Sequence, residues 1–205
     1  MAHTSSKSKQ LTYHINYGFL GGPVTGHRLR RLLAAEGLVE SPDLEQADIV
    51  IAHSAGCWQL STISSARLII LIGLPLAPLS LATSRRANQA KARRVIANRH
   101  FARGAEIAAC NIYYALLQPR RNATILRKAK AWQASLRIPA AQQVVLLANQ
   151  HDPYPHVGQL QHYIDREEWA FMHLPDSHDD IWEHPERYVA IINHYARLLD
   201  KANQR

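Results

Sequence analysis

The sequence predicts an α/β domain built on a parallel sheet, and three observations carry that expectation. Five short apolar runs alternate with helical patterns along the chain. Most of the runs are nearly continuous rather than alternating, as parallel strands covered on both faces should be. Gly, Pro, Asn or Asp bounds each of them.

The elements follow in order. Residues 11–17 form the first predicted strand and lead into the turn Gly18-Phe19-Leu20-Gly21-Gly22-Pro23. Residues 24–36 read as a helix, with Leu29, Leu32 and Leu33 on one stripe and Gly37 as its stop. Residues 48–52 form the second strand, with a short helix at 55–64 after it, and residues 67–72 the third. No convincing strand occurs between Pro75 and Ala141, and two or more helices are expected there, at roughly 86–118 and 122–136. Gln118-Pro119 marks the break, because the residue before proline avoids helix. A structureless loop of that length is improbable, so residues 76–141 are read as a helical cap inserted in one domain spanning 1–205. Strands at 143–148 and 169–174 complete the set, with a helix at 156–166 between them. The last helix, 185–201, is the clearest. Pro185 suits a first helical position, and Tyr188, Ile191, Ile192, Tyr195, Leu198 and Leu199 recur at helical spacing. The expected architecture is about five mostly parallel strands, helices on both faces, and the cap.

Composition bounds the function classes. At 205 residues, 47% apolar and 20% charged, the chain suits one packed domain and excludes wholesale disorder. The net charge of +8 is unevenly spread. Residues 85–137 hold 13 Lys/Arg and one acid, Glu106, while the rest of the chain holds 11 Lys/Arg and 15 acids. Residues 1–10 are polar and do not read as a secretory signal. The longest apolar run, residues 68–82, is 15 residues and contains Pro75 and Pro78, too short and too interrupted to suggest a spanning helix. Two cysteines outside any CxxC pair give no disulfide framework, and twelve scattered histidines without HExxH give no metal site. A cytoplasmic setting without metal or cofactor is expected.

The second strand ends in Ala52-His53-Ser54-Ala55-Gly56 and passes into helix. A serine on a sharp strand-to-helix turn, with small residues two positions either side, is the geometry of an exposed nucleophile. The turn also sets the backbone N–H of Ala55 at a helix start, where developing negative charge is favoured. Such a serine needs a base and an orienting acid, each just beyond a later strand in the order Ser, acid, His. Asp152 follows the fourth strand and His178 the fifth. Asp176 is the rival acid, while Asp179 and Asp180 crowd the histidine. The Gly-rich turn after the first strand lacks both a P-loop Lys-Ser/Thr and a G-x-G-x-x-G spacing. It is read as the source of a second oxyanion donor, the N–H of Phe19 first and of Leu20 second.

These segments resemble the α/β-hydrolase superfamily. Tyr17-Gly18-Phe19-Leu20-Gly21-Gly22 resembles its His-Gly-Phe-Leu-Gly oxyanion loop, with Tyr17 at the frequent His. Ala52-His53-Ser54-Ala55-Gly56 is similar to its Gly-His-Ser-x-Gly elbow, with Ala52 at the usual Gly. Asn149-x-x-Asp152-Pro153-Tyr154 and Leu174-Pro175-Asp176-Ser177-His178 look like the acid and base loops of the compact serine hydrolases related to the retinoblastoma-binding serine hydrolase. Those proteins lack edge strands of the full fold, and the long basic cap departs from them. The resemblance implies Ser54 as nucleophile, Asp152 as acid, His178 as base, and Phe19 and Ala55 as oxyanion donors. It implies cleavage of a small-molecule carboxylic ester or thioester.

The basic cap leaves three readings open. It attracts an anionic acyl substrate, or, together with the nearby Leu74–Leu81 stretch, it makes peripheral contact with an anionic membrane surface. Alternatively, the chain is a catalytically silent hydrolase-like binding protein whose cap meets nucleic acid or an acidic partner. No nucleic-acid-binding motif favours the last. The sequence assigns neither the acyl and leaving groups nor an oligomeric state.

Overall fold

The computed structural model describes residues 10–18, 21–62, 66–75, 101–124, 141, 143–152 and 169–203, with single positions 89, 93, 127 and 161. Six strands are present: β1 (Thr12–Asn16), β2 (Val39–Glu40), β3 (Ile49–His53), β4 (Leu68–Ile72), β5 (Gln143–Asn149) and β6 (Ala170–Leu174). They form one sheet in the order β2-β1-β3-β4-β5-β6, and every neighbouring pair is parallel. Five strands fall where the apolar runs place them. The sixth, β2, is a two-residue edge strand that the runs did not reveal.

Side chains alternate across the sheet, so each strand feeds two cores. On one face, Ile49, Ile51, Leu68, Ile70, Ile72, Val145 and Leu147 pack against α1 (His27–Ala35) through Leu29 and Leu33. The final helix, Pro185–Asn203, joins the same face through Tyr188, Ile192, Ala196 and Leu199. On the other face, Val50, Ala52, Ile69, Leu71, Leu146 and Ala148 pack against a 3-10 helix, Ser54–Thr62, through Trp58 and Leu60. The short helix expected after β3 is therefore present, wound more tightly than an α-helix.

The strand order places a reversal between β1 and β3. From β1 the chain turns outward to β2, and from β3 it continues toward β6. Open parallel sheets bind ligands outside the strand carboxyl ends at such a point. The loop after β1 and the turn after β3 meet there.

Between β4 and β5, α2 (Phe101–Leu117) is followed by helical residues 119–124, with Gln118 non-helical between them. The expected break falls at Gln118, and the next helix begins at Pro119 rather than at residue 122. The remainder of the two helices expected at 86–118 and 122–136 lies largely outside the described residues. So does the helix expected at 156–166, of which Gln161 is helical. A four-residue helix, α3 (Asp180–Glu183), precedes the final helix, named α4 (Pro185–Asn203). No described helix is long and apolar enough to cross a membrane.

Candidate active site

Ser54 directly follows β3 and opens the 3-10 helix with φ +52, and it is the only non-glycine residue at positive φ among the described residues. An L-residue in this region is uncommon and strained, and surrounding structure must hold it there. Two contacts do so. Gly56 packs so tightly on β1 that a Cβ on it would overlap the Asn16 carbonyl. The Asn16 amide donates to the Gly56 carbonyl at 2.9 Å. The small residue after the serine is thus demanded by the approach of β1.

The loop after β1 starts against this turn. A Cβ on Gly18 would stand 2.9 Å from the Ser54 Cβ and 3.2 Å from the Ala55 nitrogen. Ala55 is fully buried in the core beneath. Phe19 and Leu20, expected to supply the second donor, lie outside the described residues.

Asp152 follows β5 and His178 follows β6, and the structure brings them together. The Nδ1 of His178 donates to the Asp152 Oδ2 at 2.6 Å, with the carboxylate side chain wholly buried. A carboxylate only accepts, so the neutral imidazole carries its proton on Nδ1 and keeps its lone pair on Nε2. The pair sits over Gly73 at the end of β4. There φ is +58, and a Cβ would come within 2.8 Å of Asp152 Oδ2 and 2.9 Å of His178 Nδ1. β3, β4, β5 and β6 are consecutive parallel neighbours, so Ser54, Gly73, Asp152 and His178 all follow strands at the same carboxyl end of the sheet.

His53 links the serine turn to the base loop. Its Nε2 lies 2.8 Å from the His178 carbonyl oxygen, which only accepts, so His53 donates from Nε2. Its ring packs 4.8 Å from the His178 ring and edge-on to Trp182 at 5.1 Å. Burial, and next the neighbouring His178 charge, push the His53 pKa down to about 4. His53 is therefore a neutral spacer at pH 7, unfit as the base. Three residues beyond Ser54, burial pushes the Cys57 thiol up to about 12, which removes it as a nucleophile.

The rival acid has other partners. Asp176 pairs with Arg187 and lies 3.4 Å from the Tyr188 hydroxyl. That hydroxyl also donates to Asn149 Oδ1 at 3.3 Å, and the Asn149 amide donates to the Ser177 carbonyl at 2.6 Å. The Ser177 hydroxyl donates to Asp180 Oδ1 at 2.8 Å. Asp176 thus ties the His178 loop to α4 and Asn149 ties it to β5, while Asp180 braces the loop locally through Ser177.

Spacing and motif gave no sign of one further set of contacts. Arg121, beyond α2, donates to the carbonyls of Gly21 at 2.8 Å and Tyr17 at 3.1 Å. Burial lowers its pKa, but a guanidinium stays charged. The Tyr114 hydroxyl accepts from the Val24 N–H at 3.1 Å, and a Cβ on Gly22 would collide with its ring. Both ends of the loop after β1 are therefore pinned by the segment between β4 and β5.

Known proteins share this framework at low sequence identity. A carboxylesterase structure from the thaumarchaeon Nitrososphaera gargenis aligns with TM-score 0.61 and 10% identity, over 96% of this chain and 93% of its own. A non-heme bromoperoxidase, BpoC, from Mycobacterium tuberculosis aligns with TM-score 0.56 and 12% identity, over 93% and 94%. The thioesterase domain from the curacin biosynthetic pathway gives TM-score 0.54 and 11% identity, over 91% and 92%. The chain therefore has the α/β-hydrolase fold. No family model matches the sequence, and no curated protein matches it at a significant level. At these identities the likeness speaks for the fold, which hosts several chemistries.

Proposed function

We propose that this chain is a serine hydrolase that cleaves a carboxylic ester or thioester through an acyl-enzyme on Ser54. The observation that carries the proposal is the Asp152–His178 hydrogen bond at 2.6 Å, at the same carboxyl end of the sheet as a serine held at φ +52. In this reading His178 Nε2 takes the Ser54 proton as the hydroxyl attacks the carbonyl carbon. The oxyanion is held by the N–H groups of Ala55 and Phe19. His178 then protonates the leaving group, and water releases the acid.

A carboxylesterase and a thioesterase domain among the structural neighbours support ester and thioester chemistry. Residues 76–141 act as a cap within a single domain, and their positive charge favours anionic acyl substrates. The two cysteines, buried and unbridged, fit a cytoplasmic setting.

The test is labelling with a fluorophosphonate probe, run beside hydrolysis of a panel of soluble esters and thioesters. Wild type should label and turn over. Ser54→Ala should melt at a similar temperature, fail to label and lose turnover. Undiminished hydrolysis by Ser54→Ala, or a wild type inert to the probe, overturns the assignment.

A further inference from the structure

The helix α2 wears its apolar residues on the wrong side for a core helix. Cys110 and Tyr114 are buried and face the body of the protein. Helical spacing puts Phe101, Ala105, Ala108, Ile112 and Leu116 on the opposite face, and all five are exposed. Phe101 is 56% exposed, Ile112 61% and Leu116 73%. Tyr113 widens the stripe at 51%. Amphipathic helices normally turn such a stripe inward, and a contiguous exposed one marks an interaction surface.

Charge narrows the choice of occupant. The stripe lies in the segment of 13 Lys/Arg and a single acid, Glu106, which is 4.0 Å from His27. Arg93, Arg120 and Arg127 are exposed. A second copy would bring two strongly basic segments together, which repel. Nucleic acid would meet the charge and leave the apolar residues without a partner. An anionic lipid surface satisfies both, because basic groups meet headgroups while aromatic and aliphatic side chains enter the acyl boundary. A fluid surface also accepts a convex helix without a complementary groove.

We propose that the outward face of α2 docks on an anionic lipid surface, inserting Phe101, Ile112 and Leu116 between headgroups while exposed arginines of the same segment, among them Arg93, Arg120 and Arg127, meet lipid phosphate. The docking goes beyond the hydrolase reading and does not depend on it. The experiment is co-sedimentation with phosphatidylcholine vesicles, alone and mixed with phosphatidylglycerol, comparing wild type with Ile112→Glu/Leu116→Glu. Wild type should bind the mixed vesicles and release as salt is raised. The double variant should bind at least about tenfold more weakly, since it replaces buried apolar contacts with like-charged groups. Its probe labelling and soluble-ester turnover should stay at the wild-type level, which keeps this test separate from that of Ser54. Wild type left in the supernatant with both vesicles overturns the proposal. So does equal binding by the double variant, which would assign the contact to charge alone. Concentration-dependent dimerisation of wild type, abolished in the double variant, also overturns it and assigns the face to a second copy. Salt-sensitive binding to poly-glutamate without vesicle binding overturns it in favour of an acidic partner.

Discussion

Asp152 and Asp176 are both buried carboxylates beside the same histidine loop, and their partners separate their roles. Asp152 faces His178 Nδ1, whereas Asp176 faces Arg187 and Tyr188. Asp152→Asn should reverse the hydrogen-bonding sense at His178 and lower kcat by about 10⁴-fold with little change in fold. Asp176→Asn should keep most of the turnover and lose about 1 kcal/mol of stability by weakening a half-exposed pair with Arg187. Ester kinetics together with urea unfolding of both variants check the pair. His53 supplies a pH dependence. The unfolded chain protonates it near its ordinary value of 6.5, the folded chain only near 4. Between those values the unfolded state takes up a proton that the folded state refuses. Stability should therefore fall as pH drops through that window, by up to roughly 3 kcal/mol. Urea midpoints of wild type and His53→Gln from pH 7.5 to pH 4 read this out, and the variant should show a shallower acid limb.

At the scale of elements, the decisive contact is that of α2 and the residues after it with the loop leaving β1. Arg121→Met removes two hydrogen bonds to that loop, at the Tyr17 and Gly21 carbonyls. It should lower kcat by roughly tenfold to a hundredfold with a smaller change in KM, and Arg121→Lys should restore part of the loss. Steady-state kinetics beside a thermal melt separate loop positioning from simple destabilisation. None of this was readable from spacing, because residues 17 and 121 meet only once the sheet has formed. The elbow was readable, since close approach of β1 to Gly56 forces small residues into the local sequence. The positions of Asp152 and His178 were readable for a similar reason, as each must leave the end of an apolar run. The preference for Asp152 over Asp176 came from its place beyond the fourth strand and from the resemblance, whereas the pairing of Asp176 with Arg187 carried no sequence signal. β2 escaped notice because a two-residue edge strand with both residues exposed carries no hydrophobic pattern.

At the scale of the molecule, the uneven charge has a kinetic reading. If the basic segment gathers anionic substrates, kcat/KM for an anionic ester should fall severalfold between about 0.01 M and 0.15 M salt, as the screening length shrinks from ~30 Å to ~8 Å. A neutral ester of the same acyl length should show no such fall, and matched salt titrations of the two check it. The placement of α2 joins this behaviour to the site. Tyr114 supports the chain just before α1 from one side of the helix, while Ile112 and Leu116 look outward from the other. Anything that steadies the outer side also steadies the partners of Tyr17, Gly21 and Val24. On the serine-hydrolase reading proposed above, Tyr17 and residues 21–24 are then held in place before substrate arrives, and the site meets its transition state better prepared. Thermodynamic reciprocity adds the converse: a ligand that settles in the site holds the protein to its outer contact more tightly, by the same factor.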